Sequence, residues 1–170
     1  QPIANWNVSK VTLMTSMFSG ASSFNQPIGN WDMSKVINIK EMFHDTQSFN
    51  QPLGNWDVSS VVQMNKVFYN ASAFNQPLAT WDTSNATSMQ QVFKWANNFD
   101  QDLSDWNVSA ATNMTGMFDN TPALSNVNKG LIQSSFSSNS NWPYNWSTFV
   151  TYAPITDANF QTAVNLWFSD

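Results

Sequence analysis

Apolar and polar positions along this 170-residue chain recur with a period of 25. Trp6, Trp31, Trp56, Trp81 and Trp106 stand in register, and Phe18, Phe43, Phe68, Phe93 and Phe118 follow each of them at a constant offset. Phe24, Phe49, Phe74 and Phe99 form a further column, closed by Leu124. So do Ile3, Ile28, Leu53, Leu78 and Leu103, and Met14, Ile39, Met64, Met89 and Met114. One such unit cannot bury so many apolar side chains alone. Stacked copies can, because each column then meets its own repeat in the next coil. The columns therefore read as core ladders of an α/β repeat solenoid. Trp is common on glycan-binding faces, so an exposed aromatic strip is the competing reading of the Trp column.

Two local periods are visible inside a unit. Val11, Met14, Met17 and Phe18 fall on one side of a helix. Ser9, like Ser34, Ser59, Ser84 and Ser109, precedes that run as a candidate N-cap. Asn25-Gln26-Pro27 then breaks the pattern, because proline lacks an N–H and constrains its neighbour. The spacing predicts a short helix or 3₁₀ turn over 11–20 and a brief strand over 28–31 in each coil. Parallel strands of successive coils would lie about 4.8 Å apart, and five coils would extend about 24 Å.

Polar columns share the register. Asn25, Asn50, Asn75 and Asp100 align, as do Asn7, Asp32, Asp57, Asp82 and Asn107. Such side chains bond to backbone groups of tight turns. Calcium is the sharper alternative for the second column. It requires several close oxygen ligands, and Asn replaces Asp in two copies, so no metal or other cofactor is expected.

Composition narrows the class. Charged residues are 10% of the chain and the net charge is −5, which disfavours nucleic acid and anionic membrane surfaces as partners. No apolar run approaches bilayer-spanning length, so membrane insertion is not expected. Cysteine is absent, which removes disulfides and thiolate chemistry. The Asn- and Ser-rich, charge-poor surface leans toward an extracellular or cell-surface location. Six Asn-x-Ser/Thr sequons begin at Asn7, Asn70, Asn85, Asn107, Asn113 and Asn145. Gln1-Pro2-Ile3 enters mid-unit, matching Gln26-Pro27-Ile28, which suggests a piece of a longer polypeptide.

The register ends at Leu124, dividing the chain into a five-coil array (1–124), a capping or linker segment (125–153) and an amphipathic helix (154–170) leading toward a further domain. Asn128-Lys129-Gly130 suggests a turn, Leu131 to Phe136 a short helix, and Trp142-Pro143-Tyr144-Asn145-Trp146 a lid over Phe118 and Leu124 or an exposed aromatic platform. Phe160, Ala163, Val164 and Trp167 form the apolar face of the last helix.

The run from Phe24 to Val36, with the Met-x-x-Met-Phe block after it, resembles the bacterial surface-protein repeat of the BspA-like, leucine-rich-repeat-like family. The resemblance covers 1–124. It implies a leucine-rich-repeat-like solenoid in secreted or surface-anchored proteins, with roles in adhesion or matrix building and no catalytic residues. Ala86 and Ala111 in the Val column, Thr83 for Val and Asp102 for Pro depart from the pattern in the last two coils.

Few parts of an enzyme are present. His44 and Glu41 are the sole histidine and glutamate, with Asp45 adjacent, a possible acid–base pair. The other coils carry Ser19, Tyr69, Lys94 and Asp119 at the His44 position, so it reads as a variable exposed position and not a catalytic one. A solenoid presents such positions on an extended face. Trp95, outside every column, is the leading candidate for an exposed contact, with Lys94, Tyr69, His44, Trp142 and Trp146 beside it. The expected partners are a protein or glycan at a surface, or, in a fibre or sheath, further copies of the chain.

Overall fold

A computed structural model describes residues 2–151. The expected helix over 154–170 lies outside the described residues. Residues up to Leu124 form five successive coils whose equivalent residues lie against one another. Four backbone hydrogen bonds of 2.8–3.1 Å join each pair of neighbours. In the first pair the N–H groups of Met14, Ser16, Phe18 and Gly20 donate to the carbonyls of Asn38, Lys40, Met42 and His44. The same set recurs 25, 50 and 75 residues on, ending with Trp95 N–H on the Asp119 carbonyl.

The α/β architecture with a strand and a helix in each coil is not what forms. No helix or strand occurs within the described coils, only turns and isolated parallel bridges linking Leu13, Asn38, Gln63, Ser88 and Asn113. The cause is where the N–H groups go. A helix over 11–20 needs the amides of Ser16, Phe18 and Gly20 for its own i−4 carbonyls, but the next coil takes them. A strand ladder fails too, because the exchange is nearly one-way. At each junction four bonds run forward from this stretch and one carbonyl accepts in return, as Thr12 does from Ile37 N–H. The backbone also turns left-handed twice per coil, at Ser16, Glu41, Lys66, Gln91 and Gly116, and again at Gly20, Asp45, Asn70, Trp95 and Asn120. Extended geometry does not survive such residues. The segment 28–31 is a turn closed by Trp31 N–H on the Ile28 carbonyl at 3.1 Å.

Ser9 and its equivalents are likewise not helix caps. The Asn/Asp column two residues earlier holds them: the Ser34 amide and hydroxyl donate to Asp32 Oδ1 at 3.1 and 2.6 Å. Asp57 and Asn7 treat Ser59 and Ser9 the same way.

The core consists of ladders. Phe18, Phe43, Phe68, Phe93 and Phe118 stack with centroids 5.5–5.8 Å apart, and each ring from Phe18 to Phe93 lies 4.0–4.2 Å from the second phenylalanine of its own coil. Trp31, Trp56, Trp81 and Trp106 are buried, and each indole N–H reaches a carbonyl 28 residues back, such as Trp56 to Ile28 at 3.0 Å. Trp6 is the exception, 53% exposed. A polar ladder runs outside: Asn25 Oδ1 accepts from Asn50 N–H and Gln51 Nε2, both at 3.0 Å, and Asn50 and Asn75 repeat the arrangement.

After Leu124, α1 (Asn126–Phe136) starts at Ser125, whose hydroxyl accepts from Asn128 N–H. The expected turn at Asn128–Gly130 is thus interior to a longer helix. Gly130 is required there by close approach, since a Cβ would collide with the Phe149 carbonyl. A 3₁₀ turn (Ser147–Phe149) follows. The departures in the last coils are absorbed locally: Thr83 is buried with its hydroxyl donating to the Asn107 carbonyl at 3.0 Å, and Asp102 Oδ1 accepts from Ser104 N–H.

Candidate interaction surface

Positions that differ between coils gather along one edge of the stack, next to the second left-handed turn. His44 and Tyr69 stack with centroids 4.6 Å apart and planes within 1°. The Trp95 ring lies 5.4 Å from Tyr69 at 59°. Lys66 Nζ and Lys94 Nζ sit 5.9 and 5.6 Å from the Tyr69 and Trp95 ring centres, within cation–π range. The row continues to Asp119, which pairs with Lys94 at 3.5 Å and accepts from the Tyr144 hydroxyl at 2.9 Å.

Trp95 is the unusual member. Its φ is +61°, in a column otherwise filled by Gly20, Asp45, Asn70 and Asn120, the residue types that tolerate left-handed backbone. It is also 41% exposed. The column of Gly, Asp and Asn was the signal that sequence reading missed.

The acid–base pair considered for His44 and Glu41 is divided between different partners. His44 Nδ1 lies 2.9 Å from Asp45 Oδ2, while Glu41 faces Lys66 at 3.7 Å, Lys40 at 3.8 Å and the Ser16 hydroxyl at 3.3 Å. Among the described residues no cluster of three or more metal-ligating side chains occurs.

Trp142 and Trp146 stand apart from this row and are half-buried against the last coil. Trp142 meets Phe118 and Phe136 edge-on, and Trp146 lies 5.6 Å from Phe118. Gln133, buried in α1, organises both: its Oε1 accepts from Trp142 Nε1 at 3.0 Å and Trp146 N–H at 2.9 Å. Between them Tyr144 substitutes for a sixth coil. Its hydroxyl accepts from Phe118 N–H at 2.9 Å, the bond that in earlier coils goes to a neighbour's carbonyl. Burial, with the Asp119 carboxylate beside it, pushes the Tyr144 phenol well above its ordinary range. Asp100 ends the Asn ladder in the same spirit, its Oδ1 accepting from Ser125 N–H and Asn128 Nδ2 at 2.9 and 2.7 Å. Burial there works to raise the carboxyl, but these bonds and Lys129 outweigh it and hold Asp100 below the usual carboxylate value.

Coils held by turns, with a core of identical rungs and an edge whose residues vary, define a stacked-repeat protein. The chain belongs to the family described as "Mycoplasma protein of unknown function, DUF285", whose model matches residues 1–71 and 51–151. Neither a curated protein nor a solved structure matches it.

Proposed function

We propose that this chain is a non-catalytic module of a secreted or cell-surface protein, binding an external protein or glycan through the His44–Tyr69–Trp95 edge. The observation that carries this reading is Trp95. A left-handed conformation costs a non-glycine residue about 1–2 kcal/mol, and an indole left 41% exposed recovers only part of that by burial. Strain of this kind concentrates at sites of contact. An exposed ring beside ammonium groups and carboxylates suits a ligand with both a flat apolar face and polar edges. The resemblance to BspA-like surface repeats and the charge-poor composition support the external location. The fibre reading is weaker for this chain, because α1 and the Tyr144 segment cover the end where a following copy would stack.

The test is a glycan array, together with a panel of immobilised extracellular proteins, probed with the parent and Trp95→Asn. Asn restores the residue type used at Asn70 and Asn120. Stability should stay within about 1 kcal/mol, lost ring contact offsetting relieved strain, while binding falls at least about tenfold, as for an aromatic anchor. Undiminished binding by the variant, or no binding by the parent to either panel, would sink the reading.

A further inference from the structure

Two aromatic rings on the variable edge each hold a cation. Lys94 Nζ lies 5.6 Å from the Trp95 ring centre and 3.5 Å from Asp119 Oδ2. Lys66 Nζ lies 5.9 Å from the Tyr69 ring centre and 3.7 Å from Glu41 Oε1. Both sets of contacts are loose. Cation–π attraction ends near about 6 Å from the centroid, and a charge-assisted N–H···O bond closes to about 2.7–2.9 Å. The two rings differ in access: His44 stacks flat on Tyr69, whereas Trp95 is 41% exposed. Asp119 is fixed beside Trp95. Its carbonyl accepts from Trp95 N–H at 3.0 Å and its Oδ1 from the Tyr144 hydroxyl at 2.9 Å. Gly116 leaves room for the carboxylate, since a Cβ there would lie 2.8 Å from Oδ2. In the Lys94–Asp119 pair the carboxylate is the more exposed side chain, 42% against 20%.

We propose that Trp95 and Asp119 form a receptor for the guanidinium of an arginine on an external protein, and that Lys94 is a resident stand-in displaced on binding. This deepens, and rests on, the reading of the edge as a contact surface. A guanidinium is planar, stacks on an indole and meets a carboxylate with two N–H groups, whereas an ammonium meets both only as a point charge. It therefore gains fully from the two groups that Lys94 holds loosely. The chain contains no arginine, so a second copy cannot supply the group. An acidic sugar is repelled by Asp119, and a neutral one offers no charge to replace the Lys94 ammonium between carboxylate and ring. The net charge of −5 draws a basic segment toward the chain.

The probe is the blocked peptide Gly-Gly-Arg-Gly-Gly, with citrulline in place of arginine as a neutral control of the same shape. The full chain carries fluorotryptophan, and its Trp95 resonance is assigned by its loss in Trp95→Asn. In fluorine NMR the arginine peptide should shift that resonance and the citrulline peptide should not. Asp119→Asn keeps an oxygen for the Tyr144 hydroxyl and should weaken binding at least about tenfold, as for a lost hydrogen bond to a charged group. Lys94→Met keeps the apolar stem and removes the competing ammonium. It should tighten binding about two- to fivefold, the worth of a cation on an exposed ring. Weaker binding by Lys94→Met, or an equal response to citrulline, would overturn the proposal. Trp95-dependent capture on the glycan or protein panels, with no response to the arginine peptide, would overturn it and leave the edge as a contact surface. Arginine binding that leaves the Trp95 resonance unmoved would count against both.

Discussion

At the scale of single residues, two kinds of position carry the fold. The first is the rung. Trp56 stacks on Trp81 at 6.2 Å and gives its indole N–H to the Ile28 carbonyl. Trp56→Ala is expected to cost about 3–5 kcal/mol by removing a buried ring and leaving a cavity. Trp56→Phe keeps most of the ring and should cost less, about 0.5–1.5 kcal/mol for the lost hydrogen bond, because the Ile28 carbonyl still accepts from Trp31 N–H. Urea denaturation of the two variants checks the order. The rungs were legible in the sequence because burial repeats with the period. The second kind is the left-handed turn residue. The Gly20, Asp45, Asn70 and Asn120 column was open to being read, since those residue types accept positive φ. The other left-handed column, Ser16, Glu41, Lys66, Gln91 and Gly116, offers only its glycine as a hint. Its conformation is imposed by the hydrogen bonds on either side.

At the scale of elements, the coil segment over 11–20 has the apolar spacing of a helix and forms none, while 126–136 forms one from a less regular pattern. The difference is competition for N–H groups. Inside the array a neighbour offers four carbonyls at bonding distance, whereas α1 follows the last coil and keeps its amides for itself. The helix over Leu131–Phe136 was readable. Its first turn was not, because Gly130 marks close packing against Phe149 and no chain reversal. The lid over Phe118 depends on Tyr144. Removing its hydroxyl in Tyr144→Phe leaves Phe118 N–H without an acceptor and should destabilise the chain by about 1–3 kcal/mol. The loss should appear in denaturation monitored by tryptophan emission, since Trp142 and Trp146 pack beside it.

For the whole molecule, the polar ladder ties stability to pH. Asp100 has its folded-state pKa lowered from an ordinary value of 3.8. A depressed carboxylate contributes stability that is present above its unfolded value and lost as pH falls through the folded one. Asp32 and Asp82, lowered first by the Ser34 and Ser84 bonds to their side chains, act in the same direction. Tm should therefore hold from neutral pH to about pH 4 and fall below it. Asp100→Asn retains the accepting oxygen used at Asn25, Asn50 and Asn75 while removing one titrating group. Its Tm should decline less steeply between neutral and acid pH than the parent's; an equal decline would show that Asp100 is not part of the linkage.

The sequence by itself determined the period and the identity of the core rungs, because side-chain burial is a property each 25-residue unit carries in its own residue types. What only the tertiary structure decided is the backbone. Whether an amide closes a helical turn or reaches the next coil depends on a carbonyl 24 residues away, and no window of sequence contains both. The same long-range pairing gives the stack its direction and lets a tyrosine hydroxyl take the place of a neighbour's carbonyl after the last coil.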